Sequence, residues 1–225
     1  MEELNASICP YCKQKFEKPP TRKKRCIYCD NYIYVRTSPL DRKRFLVTEK
    51  EAEKIDKEWE MYGDSNAGEF SESLLKNLEN KFGCKPLLQD AIWAKFQEDS
   101  EKLMKESNKD VEILLDLSRK YYEQAEFLKK YGNKSNEYIN KIFEVSKDVK
   151  RKYLKMTTLK SFIDSEVVKK IGISPCEDAC QKCKEHSKIV MSLDEVLINN
   201  PLPISDCKHG WCRCDYSPIF EKNVE

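Results

Sequence analysis

The chain has 225 residues, 36% of them charged, and a mean hydropathy of −0.73. It is too polar for one large apolar core, and no apolar run approaches the roughly 18 residues of a membrane span. Net charge is +2, which selects no partner by itself, yet residues 1–47 carry eleven Lys/Arg against five Asp/Glu, so basic character gathers at one end. The first residues are acids and then cysteines, unlike a signal peptide, which predicts a soluble cytoplasmic protein without membrane association. In that reducing setting eleven clustered cysteines mean metal before disulfide.

The first module is Cys9-Pro10-Tyr11-Cys12, thirteen residues, then Cys26-Ile27-Tyr28-Cys29. Two CxxC knuckles at this distance read as a zinc ribbon, each knuckle topping a β-hairpin. Some forty residues bury too little apolar surface to fold unaided, and a metal ion supplies the deficit. Four thiolates bind iron as well as zinc, which leaves a rubredoxin-like site as an alternative. Arg22, Lys23, Lys24 and Arg25, together with Tyr28 and Arg36, offer cations for phosphate and aromatic rings for bases, so single-stranded nucleic acid is a second candidate ligand. The bland alternative is a solvated loop on a structural clip.

Tyr32-Ile33-Tyr34-Val35 reads as a strand, and Ser38-Pro39 as the ribbon's boundary. Thr48-Glu49-Lys50-Glu51 has capping-box spacing and predicts a polar helix to about Tyr62. A second, short helix is expected from Ser71 to Lys81, stopped by Gly83. A third begins at Pro86 with Leu88, Ile92, Phe96 and Leu103 on one face. Asn108 is the expected cap of the fourth, with Val111, Leu114, Leu115, Tyr122, Ala125 and Leu128 inward until Gly132. Ser135 is the expected cap of the fifth, with Ile139, Ile142, Val145, Val149 and Tyr153 inward. Short loops between these helices predict antiparallel packing. The organisation is therefore a ribbon over 1–40, a helical connector over 41–83, a helical domain over 84–165 and a cysteine-rich module over 166–225. The fold class is α+β, mainly α.

In the last module, Val167 to Ile173 reads as a strand, Ser192-Leu193-Asp194-Glu195 predicts a short helix at about 193–199, and Tyr216 to Phe220 reads as a final strand. Cys176, Cys180 and Cys183 precede a 23-residue insert, and Cys207, His209, Cys212 and Cys214 follow it. The set chosen for one tetrahedral site is Cys180, Cys183, Cys207 and Cys212. Cys214 and His209 are alternates, because Cys212-Arg213-Cys214 strains to place both thiolates on one ion. Cys176 and His186 are further candidates and leave two ions in this module as an alternative. Cys84 reads as an isolated thiol. The two histidines, His186 and His209, both lie inside the metal module, which leaves no separate catalytic His arrangement, and no glycine-rich phosphate loop occurs.

The run Asp178-Ala179-Cys180-Gln181-Lys182-Cys183, then Pro201-Leu202-Pro203, then His209-Gly210-Trp211-Cys212-Arg213-Cys214 resembles the terminal motif of phage head-morphogenesis proteins, the minor head proteins of the Mu F type. The resemblance covers about 50 residues of 225. Cys207 and the basic ribbon are departures from that family's pattern. The resemblance implies a structural role at the portal or inner capsid, with portal or capsid proteins as partners and a virion-associated location. The resulting expectation is a non-enzymatic assembly protein holding two zinc ions. A nucleic-acid-binding zinc-ribbon protein and, last, a zinc hydrolase at the C-terminal cluster are the alternatives.

Overall fold

Each N-terminal CxxC closes on itself through one pair of backbone hydrogen bonds. Cys9 N–H donates to Gln14 O (2.9 Å) and Lys13 N–H to Cys9 O (3.0 Å); Cys26 N–H donates to Asn31 O (2.9 Å) and Asp30 N–H to Cys26 O (3.0 Å). The fifth residue of each loop, Lys13 (φ 61°) and Asp30 (φ 57°), is left-handed, which turns the chain back on itself. The computed structural model describes residues 7–107, 110–165, 167–199, 201–202, 204, 207–208 and 212–220. The Asn108 cap expected from sequence, Pro203 and the alternate ligand His209 lie outside the described residues.

The fold is α+β and mainly helical. Two compact units divide it: Met1–Asp99 with Glu126–Lys134, and Ser100–Ala125 with Ser135–Glu225. In the first unit β1 (Lys24–Arg25), β2 (Tyr32–Thr37) and β3 (Arg44–Val47) form an antiparallel sheet in the order β1-β2-β3. The Ser38-Pro39 turn therefore does not end the sheet. Its loop repeats the knuckle frame, with Ser38 N–H to Lys43 O, Arg42 N–H to Ser38 O and Arg42 at φ 58°. Alternation along the strands divides two small cores. Ile33, Val35 and Leu46 pack with the four cysteines and Phe16, whereas Tyr34, Phe45 and Val47 pack against helix α1 (Glu49–Ser65) through Ala52, Ile55 and Trp59.

Helix α1 starts in the expected capping box: Thr48 Oγ1 accepts from Glu51 N–H and Glu51 Oε2 accepts from Thr48 N–H. Polar contacts tie it to β2. Arg36 makes a two-pronged pair with Asp56 (2.7 and 3.0 Å), and Trp59 Nε1–H donates to Thr37 O (2.7 Å). Helix α2 (Glu72–Phe82) is capped by Ser71 and ended by left-handed Gly83, as its sequence predicts. A further core holds Leu40, Leu78, Leu88, Ala91, Ile92 and Phe96. The last four lie on α3 (Leu88–Glu106), opposite Phe127 of α4 (Glu112–Tyr131). The Phe96 and Phe127 rings meet edge to face at 5.6 Å, and Gln89 bonds Tyr131 O, which makes these helices antiparallel.

In the second unit α4 runs antiparallel to α5 (Asn136–Asp164), as the contacts Glu112–Tyr153, Ser118–Ser146 and Tyr122–Phe143 show. Ser118 Oγ donates to Ser146 O (2.9 Å) and Ser146 Oγ to Ser118 O (2.8 Å), a reciprocal clasp between buried small residues. Two residues expected inside point out instead: Tyr122 is 54% exposed and Val145 41%. Leu117, Ser118 and Ser146 take the interior, because two small hydroxyls bring the helices closer than the bulkier residues allow. The last module is a sheet in the order β5-β4-β6, made of β4 (Lys170–Ser174), β5 (Met191–Ser192) and β6 (Asp215–Ile219). Short helices α6 (Gln181–His186) and α7 (Leu193–Asn199) lie between its strands in sequence. Ser192 and Glu195 form the expected reciprocal cap of α7.

Candidate metal centres

Two cysteine clusters, one near each end of the chain, can hold metal ions. In the first, Cys9, Cys12, Cys26 and Cys29 bring all four sulfurs within 4.8 Å of one another. Cys9 Sγ lies 3.9 Å from Cys29 Sγ, and Cys12 Sγ 3.8 Å from Cys26 Sγ. A tetrahedral ion with metal–sulfur bonds of about 2.3 Å holds its thiolates about 3.8 Å apart. The donor set and its spacing thus fit such an ion, with all four corners filled by thiols.

Protein donors already face these sulfurs. Tyr28 N–H points to Cys26 Sγ (3.5 Å) and Asn31 Nδ2–H to Cys29 Sγ (3.6 Å). The Asn31 backbone N–H holds the Cys29 thiol down to about 7, while burial pushes Cys9 up to about 12. The ordinary value is 9.0 for each. Asn31 is a supporting residue that spacing alone did not single out; its place two residues after a knuckle cysteine was the available signal.

The C-terminal cysteines divide into two groups that share one residue. Cys180, Cys183 and Cys207 form a triad within 4.8 Å, and Cys183, Cys212 and Cys214 form another. Cys183 Sγ is 3.5 Å from Cys180 Sγ and 3.6 Å from Cys207 Sγ. The structure thus joins Cys212 to Cys183 and Cys214, in a different triad from Cys180 and Cys207. Cys180 stands at the N-cap of α6, where the Lys208 and Cys183 backbone N–H groups hold its thiol down to about 6. Burial pushes Cys183 and Cys214 up. Burial also works against the Cys212 thiolate, but the N–H groups of Ile204 and Cys214 and the Lys155 ammonium outweigh it, so that thiol titrates low.

Lys155 is the residue the sequence concealed. It lies on α5, 7% exposed, and its Nζ donates to Cys212 O at 3.0 Å. Nothing in the spacing distinguishes it from the surface lysines of the same helix. Cys84 is exposed. Cys176 is half-buried against the core of this module, and the His186 Nδ1 is buried without a hydrogen-bond partner among the described residues.

The basic residues of the ribbon are not equally available. Lys23 sits over the Tyr34 and Tyr32 rings (4.4 and 5.0 Å), Arg25 pairs with Asp30 and covers Tyr32, and Arg36 is held by Asp56. Arg22, Lys24 and Tyr28 are exposed on the same module. No helix of the described residues is long and apolar enough to cross a membrane. No protein-family model, curated protein or solved structure matches the chain.

Proposed function

We propose that the chain is a zinc-binding, non-catalytic assembly protein whose two cysteine modules are closed structural sites. The carrying observation is the Cys9, Cys12, Cys26 and Cys29 quartet, with pairs at 3.8 and 3.9 Å. Four thiolates fill a tetrahedron and leave no corner for a reacting water, which is the arrangement of structural and not catalytic zinc. At the C-terminal end the ion sits among the Cys183-centred thiols. Elemental analysis of protein purified anaerobically without added metal tests this: at least two zinc equivalents per chain are expected. Fewer than two equivalents, or mostly iron, overturn it.

The assembly role itself rests on the resemblance of the Cys180–Cys183 and Cys212–Cys214 motifs to phage minor head proteins, and it makes portal or capsid proteins the partners. Co-expression with a phage portal protein, followed by co-purification, tests that role; separate elution in zinc-replete buffer counts against it. The second reading, nucleic-acid binding by the ribbon, is supported by the exposed Arg22, Lys24 and Tyr28. With Lys23, Arg25 and Arg36 engaged internally, it requires weak binding that falls steeply with salt.

A further inference from the structure

The structure points to a centre of two metal ions in the C-terminal module, bridged by the Cys183 thiolate. This inference rests on the zinc reading and goes beyond it in number and connectivity. One tetrahedral four-thiolate ion brings all its sulfurs to about 3.8 Å of one another, and the N-terminal quartet gathers all four of its sulfurs within 4.8 Å. The C-terminal sulfurs do not follow that pattern. Cys180 and Cys207 gather on Cys183 in one triad, and Cys212 and Cys214 gather on the same Cys183 in another. A thiolate shared by two ions produces such an arrangement, because it stays close to the terminal ligands of both while those of different ions are held apart.

Burial and charge agree with this. Cys183, Cys207, Cys212 and Cys214 are each no more than 8% exposed. Five thiolates around two dications keep one net negative charge, and a buried charge needs a partner. The Lys155 ammonium, itself buried, is directed at this centre and bonds a carbonyl, that of Cys212. Each triad supplies three of the four donors of a tetrahedral ion. Cys176, packed on the same core, and His186, whose buried Nδ1 has no hydrogen-bond partner among the described residues, have donor capacity to spare.

The test uses the full chain, with the ribbon ion as an internal standard. Anaerobic protein loaded with zinc is weighed by native mass spectrometry, and protein loaded with cadmium-113 is examined by cadmium NMR. Three ions per chain are expected, with three cadmium resonances, two of them coupled to each other through the shared sulfur. Cys183→Ser is expected to lower the content from three ions to one, and Cys212→Ser from three to two. Two ions in the unsubstituted chain overturn the bridged centre and leave the one-ion-per-module reading standing, whereas three without cadmium–cadmium coupling overturn the bridge and show two separate ions in the C-terminal module. Fewer than two ions overturn both. Since the unsubstituted chain carries the decisive measurement, failure of a variant to fold does not obscure the result.

Discussion

Replacing Cys26 with Ser removes one of the four thiols of the ribbon and separates the metal's contribution from that of packing. The apolar core around the knuckles is small: Phe16, Ile33 and Leu46 are its buried non-cysteine side chains. At about 1.5–3 kcal/mol for each fully buried large side chain, they contribute about 5–9 kcal/mol. Zinc in small thiolate modules contributes about 10–16 kcal/mol apparent at neutral pH. The ion therefore stabilises the ribbon more than its apolar core does, and losing it is expected to unfold the knuckles and β1–β3. The damage should reach α1 in part, because Ala52, Ile55 and Trp59 lean on Val47, Tyr34 and Phe45. Helices α4 and α5 should keep their structure, since the Ser118–Ser146 clasp involves no residue of the ribbon. Hydrogen exchange read by mass spectrometry checks this peptide by peptide. The amides of Cys9, Lys13, Cys26, Asp30 and β2 should lose protection while those of α5 retain it. Unchanged protection of β2 in Cys26→Ser would refute the reasoning, as would collapse of the whole helical signal.

Three further outcomes are expected. Zinc affinity of both modules should fall as pH is lowered from about 8 to 6, because binding requires thiolates and protons compete for them. The thiol of Cys9, raised to about 12, is protonated throughout that range, and Cys29 and Cys180, held near 7 and 6, take up protons within it, so a chelator competition series across pH checks the sign. Lys155→Met should weaken metal retention at the C-terminal cluster by about 10–100-fold, the usual cost of losing a group that supports the ligands from behind, with ribbon metal unchanged. Equal retention in both modules by the same chelator assay would count against an electrostatic role. Ser118→Ala should cost about 0.5–1.5 kcal/mol for one lost hydrogen bond, whereas Ser118→Leu should cost at least about 1–3 kcal/mol by overpacking the α4–α5 contact. Urea denaturation of the two variants checks the order, and a milder effect of Leu than of Ala contradicts the close approach.

Several features were legible along the chain because their causes are local. Thr48, Ser71, Ser135 and Ser192 each cap the helix that follows, since a cap needs a side chain and an N–H three residues away. The N-terminal quartet was equally legible: each knuckle is a closed turn, and two turns suffice to make four ligands. The short strands β1, β3 and β5 were not, because a run of two to four residues becomes a strand only when a partner strand lies beside it. Periodicity alone placed Tyr122 and Val145 inside, but which face of a helix is covered depends on how closely its neighbour approaches, and the paired serines decide that. The C-terminal cluster shows the same division. Its five buried or half-buried thiols were visible as residue types. That Cys183 stands between two groups was decided by packing, as was the reach of a lysine from α5 to the Cys212 carbonyl. The second follows from α5 lying against β6, a contact between segments far apart in the chain that no local spacing encodes.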